Sequence, residues 1–399
     1  MSVSTALAAS ASMDVSAAVL DPGIAIAGVR IRGVWSDDDQ ARCRRWLSDH
    51  GLGDLIVQDA GADEGPWQRF RLSWPPATDL DTIGLAQALR LSPDESDRDL
   101  DAEILAALLL SPVSFDFPSL EEWQSAVRLR RFIVQAGRRT VLAFDTEQAE
   151  RPDCWRWSEA TGFILLPGHD LIPSLEQTLW PDVSGRLYSF SCYRATEYVL
   201  LLALAQELRI SNPAALAALQ AQWQRKAIQS GPFHDAFLHE YGSLQAPLPP
   251  RYYVPGDRLW FRNPHEPSAN VEGYEGSWVF YLGQGHFTNF WKPGQPYTLT
   301  YKCVEIYHWR HGLRQDAVVD PGAPAAPAPR IWMDESIVEA RVAGTLADPL
   351  ATNQVLDRMM RLRDPAGVYD QGGCIDASRE AVRCVRPGTF DLAFQVSQG

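Results

Sequence analysis

Residues 187–208 read LYSFSCYRATEYVLLLALAQEL, and the reading of Cys192 within this run decides the fold. Apolar residues recur at helical spacing from Tyr198 to Leu208, and Ser191 stands where an N-cap belongs. The spacing therefore predicts a long, mostly buried helix that begins at the cysteine. Two readings of the thiol follow. Free cysteine packs as a small hydrophobe, and a cysteine at a helix start can be structural. A thiol at a helix N-terminus also meets unpaired N–H groups carrying roughly half a positive charge. That field lowers a thiol pKa and favours the nucleophilic thiolate.

Working outward, the apolar positions Val127, Leu129, Phe132 and Ile133 predict a helix capped by Ser119 and ending near Gly137, and a further helix spans Ala102–Leu110. Strands at Thr140–Ala143 and Gly162–Leu166 precede the cysteine helix, and a helix at Pro213–Lys226 follows it. From Tyr252 the period switches to two. Tyr252–Val254, Arg258–Phe261, Ser277–Leu282 and Tyr297–Tyr307 read as strands of an antiparallel sheet. Nearer the N-terminus, a strand at Val29–Val34, a Ser36-capped helix to Leu47 and strands at Leu55–Val57 and Phe70–Trp74 form a small α/β unit.

The expected organisation is a disordered leader over 1–24, a small α/β domain over 25–98 and a core over 99–319. A Pro/Ala-rich connector at 320–330 and a helical extension over 331–399, with a helix at Asn353–Leu362, complete it. The fold class is α+β, a cysteine-led helix packed on an antiparallel sheet. That order of elements is similar to papain-like and NlpC/P60-like cysteine enzymes.

The 399 residues leave room for two or three domains, and a net charge of −14 argues against nucleic acid or an anionic membrane as the main partner. No apolar run approaches the ~18 residues of a membrane span. The leader lacks a positive region before its apolar residues, so a cytoplasmic location is expected, with non-classical export left open. The six cysteines show no zinc spacing, and neither a metal nor a cofactor is expected. Cys374 and Cys384 are candidates to pair only in an exported chain.

Three stretches carry a resemblance. They are Ser111-Pro-Val-Ser-Phe-Asp-Phe117, Tyr188-Ser-Phe-Ser-Cys-Tyr-Arg-Ala-Thr196, and Pro255-Gly-Asp-Arg-Leu-Trp-Phe-Arg-Asn-Pro264 followed by Gly276-Ser-Trp-Val-Phe-Tyr-Leu-Gly283. In this order, over roughly residues 100–292, they resemble the bacterial spore-coat-type protein-glutamine γ-glutamyltransferases, a transglutaminase family with a compact papain-like core. The resemblance implies that Cys192 is the nucleophile of acyl transfer between protein glutamines and lysines, or of glutamine deamidation. It also implies a carboxylate directly before the cysteine, where this chain has Ser191, and another at the position of Ser277. The family histidine corresponds to Asn289 or Phe290. The thiol is retained and the expected acid/base partners are replaced.

Four groups are candidates for proton handling. Glu275 lies two residues before Ser277, so a regular strand puts both on one face unless Gly276 introduces a bulge. His286 ends a Gly-Gln-Gly-His turn and has a suitable intrinsic pKa, against the plainer reading of an exposed turn histidine. His308 ends an alternating strand and faces either the helix or solvent. Glu197 lies about 140° around the helix from Cys192, which excludes it as a direct partner and suggests an ion pair with Arg194. The candidate site is thus Cys192, Glu275 and His286 for catalysis, with Ser191, Ser277, Trp278 and Asn289 for substrate binding. A catalytically inactive relative serving as a scaffold and an NlpC/P60-type cysteine hydrolase are the alternatives.

Overall fold

The computed structural model describes residues 25–33, 35–60, 67–73, 80–143, 149–316, 330–363 and 372–383. The expected leader, the connector over 320–329 and Cys384 lie outside them.

The helix at the centre of the fold runs Cys192–Ser211, and Ser191 caps it by accepting the Arg194 N–H at 3.3 Å. Nearly every side chain from Ala195 to Leu208 is buried, so this helix is surrounded rather than laid on a surface. It packs along the Ser119-capped helix Leu120–Arg139. That helix continues two residues past Gly137, where a Cβ would stand only 3.0 Å from Thr288 Cγ2. The glycine admits a close approach to the sheet and does not end the helix. The preceding helix is Asp97–Leu109, buried throughout from Leu100.

Val29–Arg32, Ile56–Ala60 and Trp67–Leu72 form a small sheet beside the Ser36-capped helix Asp37–Asp49. Its fourth strand, Phe115–Phe117, comes from beyond residue 98 and pairs in parallel with Val29–Arg32. Trp46 and Phe70 contact Trp123 at ring distances of 4.9 and 5.7 Å, so one hydrophobic core runs from this sheet into the helices.

The main sheet has six antiparallel strands in the order Tyr297–Thr298, His286–Phe287, Gly276–Gly283, Arg258–Arg262, Arg379–Val382, Leu238–Tyr241. Its alternation is strict at the centre. Arg258 and Trp260 pair with Phe280 and Trp278 on the face toward the Cys192 helix. Leu259, Phe261, Val279 and Tyr281 face a second core under the helices Leu299–Gly312, Glu335–Leu346 and Pro349–Met359.

Several elements correct the sequence reading. Tyr297–Tyr307 is a two-residue strand followed by a helix, because Thr298 caps Tyr301 at 3.1 Å and Leu299, Cys303 and Ile306 share one buried side. Thr140–Ala143 forms only an isolated bridge between Ala143 and Ser189. Tyr252–Val254 is held in the core as irregular chain, with the Tyr253 N–H donating to Thr82 Oγ1 at 2.8 Å. The segment read as a helical extension also contributes the strand Arg379–Val382 to the main sheet, between Arg258–Arg262 and the edge strand Leu238–Tyr241.

Candidate active site

Cys192 is the first residue of its helix and is half-buried. The backbone N–H groups of Trp278 and Tyr193 face its thiol and favour the charged form. The sheet explains why the Trp278 donor is available. Alternate residues of a strand present their N–H groups to the same edge. On that edge the Phe280 N–H is taken by Thr288 Oγ1 at 3.0 Å, after which the neighbouring chain turns away. The Trp278 N–H lies beyond that point, where it acts on the Cys192 thiol.

Aromatic packing holds the strand against the first helical turn. Trp278 meets Tyr193 edge-on at 5.3 Å and stacks on Trp260 at 6.0 Å. The Arg258 guanidinium lies 4.1 Å from the Trp278 ring and 4.6 Å from that of Tyr193, and it donates to Thr196 Oγ1 at 2.9 Å and pairs with Glu380 at 2.7 Å.

The electrostatics differ from the sequence expectation. Burial is the largest influence on the Cys192 thiol and raises its pKa above the ordinary value. The two N–H donors and the charge of Lys302 act against that rise, and the charge of Glu275 adds to it. Lys302, which the strand reading of 297–307 concealed, is only 2 % exposed. Its Nζ pairs with Glu305 at 2.7 Å and lies 4.0 Å from the Tyr297 ring. Because a cation favours thiolate, Lys302→Met should raise the thiol pKa further. Alkylation of Cys192 by iodoacetamide, followed by mass spectrometry against pH, should rise on the alkaline side of an ordinary thiol and shift higher still in the variant. Rapid alkylation at pH 6 in the wild type would contradict this.

The Gly-Asp and Asn-Pro stretch between residues 255 and 264 is architectural. Buried Asp257 pairs with Arg130 at 2.8 Å and accepts the Val254 N–H at 2.8 Å and the Tyr241 hydroxyl. Gly256 has φ +87°, and a Cβ there would stand 3.0 Å from the Cα and Cβ of Arg130. Gly256→Ala should therefore cost about 1–3 kcal/mol, read as a lower unfolding midpoint; an unchanged midpoint would refute this. Asn263 accepts the His265 N–H at 3.0 Å and donates to Ser268 Oγ and Tyr274 O at 2.9 and 2.8 Å. Its own N–H binds Glu275 O at 3.0 Å, so the same turn fixes where Glu275 enters the strand.

The family model for protein-glutamine γ-glutamyltransferase matches residues 84–394. The chain belongs to that family. A search of curated proteins returned no match. The family region begins before the helix Asp97–Leu109 and extends through the strand Arg379–Val382, well beyond the stretch that carries the sequence resemblance. Membership places the chain among transferases of the transglutaminase class, which act on proteins.

The remaining candidates of this transglutaminase relative divide. Ser191 is exposed and serves as N-cap. Ser277 stands opposite Phe261 on the sheet face turned away from the Cys192 helix, whereas Trp278 lies on the near face. His286 and Asn289 line a cavity of about 300 Å³ with Asp94, Arg138 and Thr288, and Cys192 lies outside it. Asn289 shapes the following loop, donating to Gln295 O at 3.0 Å and accepting the Trp291 N–H at 3.3 Å, and Phe290 is core.

His308 is on a helix, its Nδ1 2.9 Å from that of His311 and its Nε2 2.7 Å from Thr345 Oγ1, and burial lowers its pKa to about 4. Glu197 is buried, paired with Arg194, and accepts the Ser230 N–H at 2.6 Å, the structural role its helix position suggests. Among the described residues there is no cluster of three or more His, Cys, Asp or Glu able to hold a metal ion. None of the described helices is long and apolar enough to cross a membrane.

Proposed function

We propose that the chain transfers the γ-acyl group of a protein glutamine through a thioester on Cys192 to a lysine amine, or to water in deamidation, on a papain-like core. The observation that supports this reading is the sulfur at the start of a capped helix, on which the Trp278 N–H and the Lys302 and Glu275 charges all act. Lys302 favours the thiolate. The thiolate attacks the amide carbon, and the thiol proton, held by Glu275, leaves with the amide nitrogen as ammonia. An incoming amine returns a proton to Glu275 as it resolves the thioester. The N–H groups of the first helical turn and of Trp278 face the negative charge that develops in both steps. His286 has no role in this scheme, because the cavity it lines does not include Cys192. The net charge of −14 favours lysine-rich acceptors.

The test is incorporation of a labelled primary amine into a glutamine-bearing protein, with released ammonia measured in parallel. Incorporation or deamidation that depends on Cys192 supports the reading. A second reading, a non-catalytic scaffold, draws on the burial that raises the thiol pKa. It is favoured if neither product forms even at the alkaline pH where Cys192 is alkylated. Peptide-bond cleavage without amine incorporation would indicate a hydrolase instead.

A further inference from the structure

Outside the site, two other cysteines meet in the core beneath the C-terminal helices. Cys303 follows Lys302 on the helix Leu299–Gly312, and its Sγ lies 3.6 Å from Cys374 Sγ. Both thiols are free and fully buried. The Cys374 thiol donates to Met359 O at 3.1 Å, and Cys303 Sγ lies 3.7 Å from Met360 Sδ, so both sulfurs are enclosed in the core. Cys374 leads into Arg379–Val382, the strand that joins Arg258–Arg262 to Leu238–Tyr241. The sequence suggested Cys384, which lies outside the described residues, as a partner for Cys374; among the described residues Cys303 is the thiol beside it.

We propose that Cys303 and Cys374 form a disulfide that staples the C-terminal strand segment to the helix bearing Lys302. The sulfurs are in van der Waals contact and must close to about 2.0 Å. The oxidant is a low-molecular-weight disulfide. The Cys303 thiolate attacks it, forming a mixed disulfide and releasing one small thiol. The Cys374 thiolate then attacks the Cys303 sulfur and releases the second. Two protein thiols are oxidised and one small disulfide is reduced to two thiols, with the two cysteine protons ending on them. Both sulfurs are closed to solvent and burial raises the Cys374 thiol, so exchange occurs while the C-terminal segment is undocked. Docking then shields the bond. It closes a loop spanning 71 positions, enough to raise the melting temperature by about 5 °C.

The test is refolding of the full chain in a glutathione/glutathione disulfide buffer, alkylation of remaining thiols and digestion without reductant. A linked peptide joining Cys303 to Cys374, two hydrogens lighter than its free parts, is expected, with the melting temperature about 5 °C higher until dithiothreitol is added. Cys303→Ser and Cys374→Ser should each lose both the link and the shift. The wild-type peptide map decides by itself if a variant fails to fold. A Cys374–Cys384 peptide, unresolved glutathione adducts, or alkylation of both thiols after refolding would overturn the proposal.

Discussion

Cys192→Ala should lose amine incorporation and glutamine deamidation together, by about 10³-fold or more, because both reactions share one thioester. Cys192→Ser should fall almost as far. A hydroxyl at the same helix start faces the same N–H groups, but the Lys302 field cannot ionise it at workable pH. The fold should tolerate either change, since the side chain is half-buried at the first turn and the cap belongs to Ser191. Circular dichroism and the unfolding midpoint should therefore stay near wild type while both activities vanish. Activity persisting in Cys192→Ala would move the nucleophile elsewhere. Loss of only one activity would break the shared-intermediate argument.

The largest effect on stability is expected at Asp257. Its carboxylate lies in the core between Arg130, the Val254 N–H and the Tyr241 hydroxyl. Asp257→Asn removes the only formal negative charge among these partners and leaves the buried guanidinium of Arg130 without its counter-charge. Breaking one side of a buried ion pair costs about 3–5 kcal/mol. Urea unfolding followed by tryptophan fluorescence should show that loss as a markedly lower midpoint. Arg130→Met combined with Asp257→Asn should recover part of it, since the unpaired charge is then gone. A single variant within about 0.5 kcal/mol of wild type would mean that the pair is not a keystone of the sheet.

The Cys192 helix was legible because its signals agree: a serine cap, an apolar period near 3.6 and length enough to separate it from a strand. The central strands around Trp260 and Trp278 were legible because turn residues bound them and their two faces alternate. Residues 299–312 were not, since Val304, Ile306 and the interspersed tyrosines imitate a strand while Thr298 caps a helix. That misreading hid Lys302 and Glu305. Parity alone suggested that Ser277 and Glu275 share a face, but Ser277 faces the second core while the charge of Glu275 still acts on Cys192. The sign of the thiol shift was beyond local sequence. A helix start predicts a lowered pKa, whereas the final value depends on how much protein is packed around the sulfur, which is a property of the assembled sheet and helix.

The most direct measurement is to mix the protein with a glutamine-bearing peptide without an amine acceptor, quench in acid and map the adduct by intact-mass and peptide analysis. A thioester on Cys192 is expected, carrying the peptide mass less ammonia, absent in Cys192→Ala and discharged by adding a primary amine. An unmodified Cys192, or an acyl group on a different residue, would contradict the assignment of this sulfur as the nucleophile.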